Sequence, residues 1–204
     1  MNLKIIDDFL PLEEQVLLEN IFMNGYFPWY YLSTSAYPEG ADVPENFYTN
    51  SVDTPFFSHI MFNEGKVNSD FFRYAEMILD KIPNIKDYTL ERFKLNLTMA
   101  DSRCNSETHS YPHIDLKYDG DFLTCIYYVN DSSGDTFIMD QQDDGGPNWY
   151  EGNLTVAQRI TPKRGRLVMF NGHYLHCGNN PLDHKGRVVA NINLIPKNNK
   201  NKLT

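Results

Sequence analysis

From Glu91 to Thr98 the chain reads Glu-Arg-Phe-Lys-Leu-Asn-Leu-Thr, a regular polar/apolar alternation that places successive side chains on opposite faces of a strand. Phe122 to Asn130 is richer in β-branched and aromatic residues, and strict alternation sets Thr124, Ile126 and Tyr128 on one face with Leu123, Cys125 and Tyr127 on the other. The turn Asp131-Ser-Ser-Gly134 leads into Asp135–Met139, and Pro162-Lys-Arg-Gly165 introduces Arg166–Phe170. Asn171-Gly172 then turns the chain toward His173–His176, and a last strand, Arg187–Leu194, aims Arg187, Val189, Asn191 and Asn193 one way. Short strands divided by Gly, Asp and Asn turns predict an antiparallel sandwich or barrel.

The period changes in the first hundred residues. Ile5–Pro11 predicts a short strand and turn, and Pro11–Met23 an amphipathic helix with acids in its first turn. A second helix is expected after Asn68-Ser69, through Phe71–Leu79, ending before Pro83. Helices buttressing one sheet of the barrel would fit this order. Residues 26–62, rich in aromatics, Pro, Ser and Asn, lack a sustained helical period and read either as a substrate lid or as a loop pinning its aromatics into the core.

Two short segments carry candidate chemistry. His113 and Asp115 are two apart, so on a strand they would converge on one ion while Ile114 faces away. Alone, a His-x-Asp is more often a surface pair. Downstream, His176 is followed eleven residues later by Arg187, and His173 offers a second imidazole before the same turn. Two imidazoles, one carboxylate and a guanidinium are what an open-sided iron(II) and an acidic cosubstrate require. His109 and His113 lie four apart like helical zinc ligands, but Pro112 opposes a helix and no Glu follows His109. Asp140–Glu151 has the spacing of a calcium loop, with Gly145 sixth, yet Gln142 replaces the expected Asp or Asn and β-like segments flank it; a solvated acidic loop at the barrel mouth is expected.

Taken in order, His113-x-Asp115, the strand Thr124-Cys-Ile-Tyr-Tyr-Val-Asn130, Gly134-Asp-Thr136, Pro162-Lys-x-Gly-Arg-Leu-Val-x-Phe170 and His176-x10-Arg187 resemble the Fe(II)/2-oxoglutarate-dependent oxygenases, and most closely their prolyl 4-hydroxylase branch. The resemblance covers residues 109–196. It implies a mainly β (α+β) fold, the double-stranded β-helix or cupin-like jelly roll, with N-terminal supporting helices. It implies iron ligation by His113, Asp115 and His176, with His176 preferred to His173 because Arg187 stands at the family's spacing from it. Arg187 would hold the distal carboxylate of 2-oxoglutarate, a bidentate match of planar fork and carboxylate. Tyr128 would add a hydroxyl donor there, its alternative being a core aromatic, and Thr124, Ile126 and Asn191 would line the pocket. The implied cofactors are Fe(II), 2-oxoglutarate and O2, with ascorbate to rescue oxidised iron, and Asp115 counts against a related halogenase.

The implied reaction is hydroxylation of a C–H group, with decarboxylation of 2-oxoglutarate to succinate and carbon dioxide. A prolyl or other residue of a peptide or protein is the favoured substrate. This chain departs from the prolyl hydroxylase pattern in three places: Asn193 stands where many of them carry Trp, Asp121 and Phe122 where a basic residue is common, and Gly134-Asp135 where Gly-Gly is. A small-molecule hydroxylase with the same cofactors, or a noncatalytic binding module, are the alternatives.

Composition bounds the rest. The 204 residues suit one catalytic domain over 1–204, with support and lid in 1–100, the β-helix in 101–196 and a tail in 197–204. Three cysteines without Cys-x-x-Cys spacing suggest reduced thiols, and with no signal-peptide pattern or long apolar run the expected location is the cytoplasm, with no membrane partner. A net charge of -9 argues against a nucleic-acid partner.

Overall fold

In the computed structural model, which describes residues 2–34, 50–143, 153–183 and 185–197, the organising element is the strand Arg187–Pro196 (β11), buried along all but its last residue. Its two faces do different work. Val188, Ala190, Ile192 and Leu194 join an aliphatic and aromatic core with Phe93 and Leu95 of Tyr88–Thr98 (β5) and Cys125 and Tyr127 of Leu123–Tyr128 (β6). Two helices close this outer side. Leu12–Phe22 (α1) contributes Leu18 and Phe22, and Phe72–Leu79 (α2) contributes Ala75, Ile78 and Leu79. Pro11 precedes α1 in extended conformation, where a missing N–H is harmless, and Glu13 and Glu14 complement the positive end of the helix. The expected buttress is therefore present.

The large sheet has eight strands. Lys4–Ile6 (β1), Leu167–Asn171 (β9), β6, β11, β5, Phe56–Asn63 (β3) and Tyr30–Leu32 (β2) are hydrogen-bonded in that order, with Lys66–Val67 (β4) on β3. Facing it is a three-stranded sheet in the order Tyr174–Gly178 (β10), Thr136–Gln142 (β7), Val156–Ile160 (β8). Ile126, Tyr128, Ile138, Ile160, Val168, Phe170 and Val189 pack between the two sheets. This is the antiparallel sandwich that the alternation and turns predict, in the mainly β jelly-roll form that the resemblance implies.

Register decides what faces the inside. β11 pairs β5 with Arg187 opposite Thr98, Val189 opposite Asn96, Asn191 opposite Lys94 and Asn193 opposite Arg92. On its other edge β11 pairs β6, with Asn191 opposite Ile126 and Asn193 opposite Thr124. Because directly opposed residues share a face, Arg92, Lys94, Asn96 and Thr98 form a polar row pointing inward beside Asn191 and Asn193.

Two expectations need correction. Residues 26–62 are not all loop: β3 forms a ladder with β5 and β2 with β3, so part of this stretch is structural sheet. Its aromatics split between β-ladder and loop positions, which erased any single period. The segment His113–Asp115 is not a continuous strand either; only His113 forms a bridge, with His176. Pro112 has no N–H to give a ladder, and the turn residues after Asp115 end pairing. Of the 26–62 segment, residues 35–49 lie outside the described residues, as do 144–152 of the calcium-like loop and 198–204 of the tail. No described helix is long and apolar enough to cross a membrane.

Candidate metal centre and cosubstrate pocket

A backbone pair sets the two imidazoles side by side. The His113 N–H donates to the His176 carbonyl at 3.0 Å and the His176 N–H returns the bond at 2.9 Å, leaving the rings with centroids 4.9 Å apart. Each Nδ1 lies against a backbone carbonyl two residues upstream, Tyr111 at 2.9 Å and Tyr174 at 3.2 Å. A carbonyl only accepts, so each Nδ1 carries the proton and each Nε2 presents a lone pair, the arrangement that orients a metal-binding histidine. Asp115 completes the group: ligand atoms of His113, Asp115 and His176 all lie within 4.8 Å of one another.

Electrostatics keep the lone pairs of His113 and Asp115 available. Burial, with His176 nearby, holds the His113 ring down to about 4, against the pull of Asp115. Burial alone would raise the Asp115 carboxyl, but His176, Arg92 and His113 together outweigh it and hold Asp115 well below the usual carboxylate range. The His176 Nε2 is 3.3 Å from Asp115 Oδ2, yet it is buried without a hydrogen-bond partner among the described residues. Two lone-pair donors this close, not bonded to each other, fit a cation at their common vertex. Two imidazoles and one carboxylate leave open positions and match iron(II).

Asp115 is held by a cage. Its Oδ1 accepts from Arg92 Nη2 and Asn191 Nδ2, both at 2.9 Å, and its Oδ2 from Asn193 Nδ2 at 3.0 Å and Thr124 Oγ1 at 3.2 Å. Arg92 Nε also donates to Asn193 Oδ1 at 3.0 Å, tying the cage together. With the Asp115 side chain only 2% exposed, these donors fix which way its free lone pairs point. Removing Arg92 by Arg92→Met should lower metal affinity by roughly 10- to 100-fold, the usual loss when a ligand's outer partner goes. Chelator competition checks this, and unchanged affinity would remove Arg92 from the metal centre.

Arg187 lies at the other end of the cavity. It is 5% exposed, and its Nε donates to the Gly134 carbonyl and its Nη2 to Thr136 Oγ1, each at 2.7 Å. Burial pulls its guanidinium down, while Tyr128 and Asp135 pull it back up. Gly178 of β10 lies flat against the guanidinium; a Cβ there would come within 3.4 Å of both terminal nitrogens. Those nitrogens retain N–H groups for a ligand carboxylate, since an Arg has five donors and two are used here.

A cavity of about 80 Å³ joins the two ends, and its wall includes His113, His176, Ile126, Asn191, Thr136 and Arg187. Ile126 and Asn191 thus line it. Thr124 and Tyr128 are placed differently from the expectation. The Thr124 hydroxyl turns to Asp115, and the Tyr128 hydroxyl donates to Thr136 Oγ1 at 2.7 Å. Thr136 Oγ1 therefore accepts from both Tyr128 and Arg187, and it is Thr136 that reaches the cavity wall. His173 does not join the group: its Nδ1 and Nε2 face the carbonyls of Asp143 and Gly120 at 2.9 and 3.0 Å. His109 is buried, with Nδ1 on the Ser110 carbonyl at 2.8 Å.

Sequence reasoning missed Arg92, Lys94, Thr136 and the caging role of Asn193. The polar row of β5 was the available signal, but alternation alone does not say whether a polar face meets solvent or a site.

Residues 99–195 match the family model of the 2OG-Fe(II) oxygenase superfamily. No curated protein matches the chain. Among solved structures, the fold is similar to an oxidoreductase of the 2OG-Fe(II) oxygenase family from Burkholderia pseudomallei, with TM-score 0.58, 11% identity and 94% of this chain covering 84% of that one. It is similar to a prolyl hydroxylase from Trichoplax adhaerens in complex with a hypoxia inducible factor peptide fragment, with TM-score 0.54, 14% identity and coverage of 100% and 87%. It is also similar to the epimerase SnoN in complex with Fe3+, alpha ketoglutarate and nogalamycin RO, with TM-score 0.54, 13% identity and coverage of 95% and 78%. These likenesses concern the fold, while the family match spans the segment that supplies His113, Asp115 and His176. Residues 99–195, just under half of the chain, are thus similar to the 2OG-Fe(II) oxygenase superfamily.

Proposed function

We propose that the protein is an Fe(II)- and 2-oxoglutarate-dependent dioxygenase that hydroxylates a C–H group, with a residue of a peptide or protein, prolyl first, as its substrate. The observation that supports this most directly is the convergence of His113, Asp115 and His176 within 4.8 Å, both imidazoles aligned through Nδ1. In this reading those three residues hold iron(II). Arg187 binds the distal carboxylate of 2-oxoglutarate, and the Thr136 hydroxyl, which already accepts two bonds, donates its own proton to it. When bound, iron and 2-oxoglutarate supply the oxygen chemistry: O2 and substrate R–H give R–OH as 2-oxoglutarate gives succinate and carbon dioxide.

The chain's own contribution is placement and exclusion of water. Arg187 fixes the far end of the cosubstrate, Asn191 and Ile126 limit where it can lie, and the Asp115 cage keeps the carboxylate from swinging. The peptide reading is supported by the similarity of the whole chain, N-terminal elements included, to a prolyl hydroxylase that carries a peptide. A second reading, hydroxylation of a small molecule, draws on Asn193: it is turned inward into the Asp115 cage where many prolyl hydroxylases have Trp.

The test is an oxygen-free titration with Fe(II) and then 2-oxoglutarate, followed by succinate release in air with prolyl peptides and with small organic acids, with and without ascorbate. Saturable binding of both, and peptide-stimulated succinate, is expected. Failure to bind iron or to consume 2-oxoglutarate would leave only the noncatalytic module. Stimulation by small acids alone would transfer the assignment to the second reading.

A further inference from the structure

We infer that Lys94 forms an anion subsite beside the metal cluster, so that the substrate taken by this site carries a carboxylate near the carbon to be hydroxylated. This rests on the dioxygenase reading and refines its substrate class.

Lys94 is on the inward face of β5, directly opposite Asn191, whose Nδ2 is bound to Asp115. It is thus level with the metal cluster, and it lines the same cavity as His113, His176 and Arg187. Its ammonium has no hydrogen bond or ion pair among the described residues and lies over the Phe56 ring, 5.9 Å from the centroid. A cation over an aromatic face at this range recovers only part of what burial removes. Burial, with Arg92 beside it, accordingly pulls the Lys94 amine down to about 8, Asp115 pulling the other way. Asp115 itself is matched by Arg92 at 2.9 Å.

Charge accounting points to the missing partner. The described cavity wall carries two cations, Lys94 and Arg187, and no Asp or Glu, in a chain whose net charge is -9. One carboxylate of 2-oxoglutarate is matched by the metal and the other by Arg187. Lys94 turns sideways toward Phe56 of β3, on the far side of β5 from β11, whereas Arg187 starts from β11 and is fixed by Gly134 and Thr136. A third anion is therefore wanted, and in a prolyl peptide it would come from an acidic residue beside the proline, since the prolyl side chain is neutral. Buried and unpaired atoms nearby, Asn96 Oδ1 and Ser58 Oγ, add polar contacts on the same flank. The carboxylate could belong to a free organic acid or to an acidic residue of a peptide.

The test uses oxygen-free protein loaded with Fe(II) and 2-oxoglutarate and reads binding by calorimetry. The probes are butanoate and hexanoate, their amides, and two blocked peptides of equal length centred on Glu and on Pro. Either a carboxylate or the Glu peptide should bind about 10-fold or more tightly than its neutral counterpart, the scale of one charge-assisted hydrogen bond, and which one does so names the source. Lys94→Met should abolish that preference and Lys94→Arg restore it, while 2-oxoglutarate affinity stays within about two-fold of the parent. Lys94→Met removes an unpartnered charge and orphans no carboxylate, and a thermal melt confirms folding.

The inference is overturned if acids and neutral analogues bind the parent alike, if neither binds, or if Lys94→Met weakens 2-oxoglutarate as Arg187→Ala does. Repeating the acid and amide comparison on metal-free protein separates the two claims. A Lys94-dependent preference there, in protein that refuses iron, would sink the dioxygenase reading and spare the subsite.

Discussion

His176→Ala lowers Fe(II) affinity by more than about 100-fold, beyond what losing an outer partner of a ligand costs. The residue provides one of two imidazole lone pairs, and its backbone also forms the bridge that aligns the other. Alanine keeps that backbone pair, so His113 stays in place and the loss is confined to one ligand. Because the Nε2 atom has no hydrogen-bond partner among the described residues, its removal strands no donor, and only the Tyr174 carbonyl loses a bond, from Nδ1. The variant should fold and melt near the parent temperature in the absence of metal. Titration of Fe(II) with a competing chelator under nitrogen makes the measurement; parental affinity would mean that the vertex between His113, Asp115 and His176 does not hold the ion. Proton competition gives a second check. With His113 held at about 4 and Asp115 well below the usual carboxylate range, these two ligands should keep their lone pairs through mildly acidic solution, so the His176→Ala variant should lose its residual affinity only as pH approaches about 4.

Arg187→Ala weakens 2-oxoglutarate binding by roughly 10- to 100-fold, since hydrogen bonds to a charged group contribute about 1.5–3 kcal/mol, and it leaves Fe(II) affinity within about two-fold. The separation follows from position: Arg187 opposes Thr98 on β5, two inward-facing places along β11 from Asn191, and it touches no member of the metal cluster among its hydrogen bonds. Truncation leaves the Gly134 carbonyl and Thr136 hydroxyl without this donor, so the variant should also melt at lower temperature. Succinate release at saturating 2-oxoglutarate recovers part of the parental rate if Arg187 acts by binding. Unchanged cosubstrate affinity would move the distal carboxylate elsewhere.

Much of this was legible in the chain itself. The helices at Leu12–Phe22 and Phe72–Leu79 and the strands β5, β6, β9 and β11 follow from clear periodicity and turn residues. His113, Asp115, His176 and Arg187 could be singled out because their residue types and order are unusual in combination. What was not legible required knowing register. Thr124 and Tyr128 lie on the same inward face of β6, as alternation demands, yet one hydroxyl turns to Asp115 and the other to Thr136, a choice made by neighbours on other strands. Arg92 and Lys94 read as polar positions on an alternating strand. Only the pairing of β5 with β11 shows that they point inward, one matched to Asp115 and one not. The strand β3 escaped notice because both its faces carry aromatics, which blurs a period of two.

The strand β11 puts Val188, Ala190, Ile192 and Leu194 against the helices and Arg187, Val189, Asn191 and Asn193 on the inner side. A slip of one residue would exchange the two sets and ruin both at once. Such a strand cannot drift in sequence, even where only the chemistry is under pressure to change. Altered substrate choice has to come from the periphery instead: from β3 and the Lys94 flank, where a side chain can be traded without moving the spine of the molecule.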